Sequence, residues 1–268
     1  VIDLGAPGAG AQNEPILAVS VEAALGRLVV GRAQTFSGGG RSGSQVTLAA
    51  PAVRDQWWFA DGIKDVDATE RFSIYNPTDD DVEVDVIFLG IESPVLLDPI
   101  VVNARNVVTF DPSQEAELPI GRHAAVFATA QSTPSIVVER AVTRTIGDDT
   151  ATSVLVGATP RQDAYVASQW YVGVAPDEPV EEALIVYNAD NTVGSVTVSA
   201  VGRSGPVPVE SLEELVLDRA SILTIDLTDP LVLGRQLIVD STSRIFVERS
   251  FPTGRGATRT SSWAVPAG

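Results

Sequence analysis

The chain has 268 residues, room for two domains of about 110 residues and part of a third, each able to bury its own core. Lysine and arginine total 18 against 35 acidic residues, a formal net charge of −17 that repels nucleic-acid backbones and anionic membrane surfaces. Cysteine is absent, which excludes disulfides, a thiolate nucleophile and cysteine-ligated metal centres.

Residues 1–51 read as the terminal strands of a partial or divergent β module. Leu28-Val29-Val30-Gly31-Arg32-Ala33 resembles Ile136-Val137-Val138-Glu139-Arg140-Ala141, and Ser44 to Pro51 resembles Ser153 to Pro160. Strand edges here must find a partner or stay exposed. Between these strands Thr35 to Ser44, with Gly38-Gly39-Gly40, reads as a flexible hairpin tip, as do Thr145 to Thr150 and Thr253-Gly254-Arg255-Gly256-Ala257. Val1 is not an initiator methionine, so an excised or processed piece is expected, and no apolar run reaches the length of a spanning helix.

A first module is expected over 52–163 and a second over 164–268. Trp58-Phe59-Ala60 and Tyr75-Asn76 recur as Trp170-Tyr171-Val172 and Tyr187-Asn188, both 112 residues on. Gly121-Arg122 matches Gly234-Arg235 at 113, and Val138-Glu139-Arg140 matches Val247-Glu248-Arg249 at 109. Val82, Val84, Val86 and Phe88 alternate with Glu83, Asp85 and Ile87, and Val196, Val198 and Ala200 alternate with serine and threonine, the pattern of a sheet with one buried face. Asn76-Pro77-Thr78-Asp79-Asp80 and Asn188-Ala189-Asp190-Asn191 are turn material ahead of those strands.

The spacing predicts strands near 56–60, 70–76, 82–89, 94–101, 106–111, 122–130, 135–143 and 151–157, then 168–172, 182–187, 193–201, 207–217, 220–227, 235–241, 243–250 and 260–265. Short strands with no long helical pattern between them predict an all-β chain of tandem immunoglobulin-like antiparallel β-sandwich modules. Glu210 to Leu217 admits a short helix, against which its strand-like match in the first module argues.

The candidate chemistry is sparse. Trp58, Trp170, Tyr75 and Tyr187 recur and are expected to be structural aromatics. Trp57, opposite Gln169 in that alignment, is the candidate exposed aromatic. With Asp61, Asp65, Asp67 and His123 it forms a possible ligand-binding surface. Calcium is the one cofactor the acidic loops suggest, although neither they nor Asp79-Asp80-Asp81 follow an EF-hand pattern. Glu139, Arg140, Glu248 and Arg249 are expected to form structural ion pairs, between strands or between domains, because one member of each Glu-Arg dipeptide must lie on a largely apolar face. His123 is the sole histidine, and no phosphate loop or catalytic triad is legible.

Trp58-Phe59-Ala60-Asp61-Gly62, Ile74-Tyr75-Asn76-Pro77, Val137-Val138-Glu139-Arg140 and Ala151-Thr152-Ser153 to Gly157 give the chain a resemblance to actinobacterial exported β-module repeat proteins of unknown function. That resemblance implies secretion or a cell-surface location and carries no catalytic residues. The expected function is a non-enzymatic structural or adhesion-type protein that contacts a protein or cell-envelope polymer. A carbohydrate-binding module built on Trp57 is the alternative, and a glycan hydrolase using Glu139 and Glu248 the third reading.

Overall fold

The computed structural model describes residues 2–4, 6, 16–38, 40–159, 167–252 and 259–267. Among these the regular structure is β in antiparallel sheets, with single 3₁₀ turns at Pro112–Gln114 and Glu210–Leu212 and no helix long and apolar enough to cross a membrane.

β1 (Gly31–Gly38) and β2 (Arg41–Leu48) form a hairpin. Strand pairing runs through most of the segment expected to be a loose tip. A side chain of β2 caps the open strand edge at Val154. Gln45 donates from Nε2 to the Val154 carbonyl at 2.8 Å and accepts the Val154 amide at 2.6 Å, imitating a strand partner on an otherwise open edge.

The next nine strands are β3 (Gln56–Lys64), β4 (Ala68–Asn76), β5 (Val82–Leu89), β6 (Val95–Leu96), β7 (Ile100–Val102), β8 (Asn106–Phe110), β9 (Gly121–Thr129), β10 (Val137–Ile146) and β11 (Asp149–Val156). One sheet runs β3-β9-β5-β6, with β7 also on β5, and the other runs β11-β10-β4-β8. Alternation decides what meets between them. Val84, Val86 and Phe88 turn inward beside Trp57, Phe59 and Phe127, against Phe72, Ile74 and Val138 of the facing sheet. The strand expected over 94–101 is two short ones, because Leu97-Asp98-Pro99 interrupts it and proline has no amide to give the ladder.

The C-terminal half contains β12 (Ala167–Val172), β13 (Val180–Asn188), β14 (Gly194–Gly202), β15 (Gly205–Pro208), β16 (Leu215–Leu217), β17 (Ile222–Leu227), β18 (Leu237–Pro252), β19 (Arg259–Trp263) and β20 (Val265–Pro266). Its pairings follow those of the first half: β12-β18-β14 parallels β3-β9-β5, and β19-β18-β13-β17 parallels β11-β10-β4-β8. Here β18 takes the places of both β9 and β10. Thr129 and Ser241 are 112 residues apart but Ile136 and Ile245 only 109, so three residues have gone from the connection and the chain crosses from one sheet to the other without leaving strand geometry. The two strands expected at 235–241 and 243–250 are therefore one. The stretch 207–217 is a strand end, a 3₁₀ turn and a separate short strand.

Pairing register corrects the alignment of the aromatics. Val86 faces Phe127, which faces Trp57; Val198 faces Val239, which faces Trp170. The counterpart of Trp170 is thus Trp57, and Trp58 corresponds to Tyr171. A slip of one residue exchanges the two faces of a strand. The asparagines obey the sequence match. Asn76 and Asn188 are both fully buried, and each Nδ2 donates to three backbone carbonyls: Asp80, Val102 and Asn103 in one case, Thr192, Leu217 and Asp218 in the other. Each tethers the turn before β5 or β14 to the strand that follows in the same sheet. The tip expected at Thr253–Ala257, the central Gly39, Pro160 and the module boundary at 163–164 lie outside the described residues.

Candidate functional site

The surface expected from Trp57, Asp61, Asp65, Asp67 and His123 does not assemble. Trp57 is 1% exposed and donates its indole N–H to the Ile136 carbonyl at 2.9 Å, plugging the core between the two sheets. Asp61 sits on β3, fully buried, and pairs with Arg122. His123 is fully buried on β9, with Nε2 at 2.7 Å from Glu70 and its ring edge-on to Phe88. Only Asp65 and Asp67 remain exposed, in the turn joining β3 to β4, and Asp65 accepts the Val66 amide at 2.6 Å. Among the described residues no group of three or more histidine and acidic side chains is arranged to hold a metal ion.

The structure instead gathers charge where the halves of the chain meet. Trp57 and Phe59 point into the first core, so Trp58 and Ala60 point out of it, together with Ala124 and Leu89 on the neighbouring strands. That outward face packs on the outer face of the β13-β18-β17 sheet. Trp58 stacks on Phe246 with ring centroids 5.1 Å apart and meets Tyr187 at 5.9 Å. Burial beneath Trp58 pushes the Tyr187 hydroxyl up to about 12.

Between Phe59 and Gly62 the β3–β9 register shifts, and this bulge turns two amides away from the ladder. Glu248 of β18 fills the opening: its Oε2 accepts the Ala60 and Asp61 amides at 3.3 and 3.0 Å, while Oε1 accepts from Nη2 of Arg140. Gly62 permits the bulge, since a Cβ there would lie 2.7 Å from the His123 carbonyl oxygen. Arg140 lies on the inner face of β10, with its guanidinium 5.5 Å from the Phe59 ring centroid and Nε 3.8 Å from Glu70. Side-chain exposures of 1% for Arg140 and 0% for Glu248 make this a fully desolvated pair.

Around it stands an outer ring. Arg122 bridges Asp61 and Glu182, and Arg144 lies 3.7 Å from Asp61. Arg259 donates to the carbonyls of Glu181, Glu182 and Ser250. Burial pushes the Glu248 carboxyl up against the opposing pull of Arg140, and burial lowers Arg122 and Arg144. Burial therefore works against the ionised form of each of these three groups, and the attraction between opposite charges offsets part of that cost. Among the described residues, all but one of the buried polar side-chain atoms without a hydrogen-bond partner cluster in the same place: Nε and Nη1 of Arg140, Oε1 of Glu70, Nδ1 of His123 and Oδ2 of Asp61, the exception being Nη2 of Arg32.

Three of the four expected ion-pair residues, Glu139, Arg140 and Glu248, find oppositely charged partners on other strands, because adjacent residues on one strand point to opposite faces, whereas Arg249 has no carboxylate partner among the described residues. Glu139 pairs with Arg32 at 2.6 Å, Arg140 with Glu248, and Arg249 donates to Ser262 and lies 5.4 Å from the Phe251 ring centroid. The two ion pairs are one arrangement used twice. The hairpin pairings Gly31↔Leu48 and Glu139↔Val156 are in identical register 108 residues apart, which sets Arg32 opposite the position of Arg140. Glu139 and Glu248 correspond likewise, facing Ser73 and Ile185. In each case the arginine of one hairpin meets the glutamate of the next. The sequence does not mark Glu70, Arg122 or Arg144 as site residues; the available signal is the odd charge on an otherwise apolar strand face, as at Glu70 beside Phe72 and Ile74.

No protein-family model and no curated protein matches the chain. Among solved structures it is similar to the protein in the crystal structure of Thermotoga maritima 1070, at 16% identity over 41% of this chain and 96% of that one, with a TM-score of 0.36, a likeness too low to carry an argument.

Proposed function

We propose that the protein is a non-enzymatic structural or adhesion-type β-sandwich protein, built from tandem immunoglobulin-like modules at 52–163 and 164–268 that stack face to face as a rigid spacer. Its partner would be a protein or a cell-envelope polymer. The observation that carries this reading is the repeated arginine-to-glutamate junction, Arg32–Glu139 and then Arg140–Glu248. The second of these buries charge at a site where the geometry serves to fix one unit on the next. Glu139 and Glu248 are committed to arginines, which supports a structural role for them. Burial of Trp57 removes the side chain on which the carbohydrate-binding alternative was built. An extracytoplasmic setting is supported by the resemblance to exported β-module proteins.

Scanning calorimetry of the whole chain tests the rigid stack. A single cooperative transition is expected, separating into two when Glu248→Ala removes the junction. A chain that already melts in two independent steps, or one whose single transition survives Glu248→Ala, would overturn the proposal.

A further inference from the structure

The third hairpin carries the same arginine, and its glutamate is missing. Arg249 faces Leu184 as Arg140 faces Phe72, yet among the described residues no carboxylate pairs with it, and burial alone lowers its pKa. Its surroundings repeat those of Arg140. By register Ala60 and Asp61, whose amides hold Glu248, correspond to Gly173 and Val174, which directly follow β12. Arg249 reaches that spot, since a Cβ on Gly173 would lie 2.7 Å from its Nη1. Gly173 and Val174 are exposed. Around them the sheet presents Tyr171, 45% exposed, with Ile238 and Val201, where the internal junction has Trp58, Val126 and Leu89.

Resting on the stacking reading above, we infer that Arg249 with the Gly173 and Val174 backbone is an open socket for the glutamate of one further β-sandwich unit of this same kind. The occupant's chemistry is set by the two junctions already present: a sheet face with a central glutamate and an apolar residue two positions before it, as in Phe246-Val247-Glu248 and Val137-Val138-Glu139. A second copy of the chain fits less well. Its first hairpin has Gly31 where the carboxylate is needed, its Glu139 is held by its own Arg32, and its Glu248 is buried against Arg140.

The test extends the full chain past residue 268 with a copy of 160–268 or, separately, with a copy of 52–159, and follows amide hydrogen exchange. Exchange at Gly173 and Val174 is expected to slow at least tenfold in an extended chain and to return to the rate of the unextended chain when Arg249→Met is introduced, or when the added unit's matching glutamate is changed to glutamine. If neither extension slows these amides, the inference is overturned. If they are already slow in the unextended chain, in proportion to its concentration, the occupant is a second copy and the assignment to a further unit falls. Ala60 and Asp61 report on the parent reading in the same data: should they exchange freely in the unmodified chain, the stacking proposal itself fails.

Discussion

Arg140 and Glu248, 108 residues apart in sequence, form an ion pair with both side chains removed from water. Breaking such a pair strands a charge, whereas replacing both members by apolar groups removes the desolvation cost along with the attraction. Arg140→Met alone should destabilise the chain by about 3–5 kcal/mol, and Arg140→Met with Glu248→Gln, which removes the stranded charge and keeps an oxygen to accept the Ala60 and Asp61 amides, should recover part of that loss. Urea unfolding of the two single variants and the double variant measures the coupling. Independent, additive losses would show that the pair does not act as a unit.

Trp57 tests the corrected register. As the counterpart of Trp170 it fills the first core and donates to Ile136, so Trp57→Ala should cost about 3–5 kcal/mol. Tyr171→Ala, on the opposite and exposed face, should cost under about 1 kcal/mol. Thermal melts of the two variants distinguish this register from one in which Trp57 lies at the surface, where the larger loss would not appear.

Tyr187 predicts the alkaline limit of the junction. Its pKa is raised from 10.0 to about 12, so the stability it contributes is intact below pH 10 and is lost as pH rises through about 12. Ultraviolet titration should show one tyrosine ionising late, with loss of tertiary structure at the same pH. Tyr187→Phe, which has no proton to lose, should shift that alkaline loss upward. Ionisation of Tyr187 near pH 10 in the folded chain would contradict this.

Asp190 gives the acid counterpart. Burial is the largest single influence and raises its pKa, but the hydrogen bonds from the Arg244 amide and guanidinium at 2.8 and 2.6 Å and the guanidinium charge together outweigh it, and the net shift is downward. Its stabilisation is therefore present above the ordinary value of 3.8 and is lost as pH falls below that value. Asp190 is partly exposed and its partner Arg244 largely so, which lets solvent screen the pair and keeps the effect small. Asp190→Asn should lower stability by about 0.5 kcal/mol at pH 7 and be indistinguishable from the unmodified chain near pH 2.

Much of this architecture was legible because strand alternation and turn chemistry are local. The Tyr-Asn repeat marked Asn76 and Asn188, and both perform the same buried carbonyl-binding task. Residue identity pairs Trp170 with Trp58, whereas strand parity pairs it with Trp57. Two adjacent tryptophans each satisfy the pattern, and only cross-strand partners distinguish the inward one. The ion pairs were half legible. Arg140 on an apolar face announced the need for a partner, but which carboxylate supplies it depends on packing between segments more than 100 residues apart. The sequence places His123 and Asp61 at the surface because a lone polar residue gives no sign that a bulge and a neighbouring arginine will enclose it.

The uninterrupted course of β18 has a mechanical consequence. In the first half a loop between β9 and β10 can absorb extension before either sheet is disturbed. In the second half any pull along β18 loads the hydrogen bonds of both sheets at once, and through Glu248 it also loads the junction with the first half. A pull along this strand therefore meets none of the slack that the loop between β9 and β10 gives the first half.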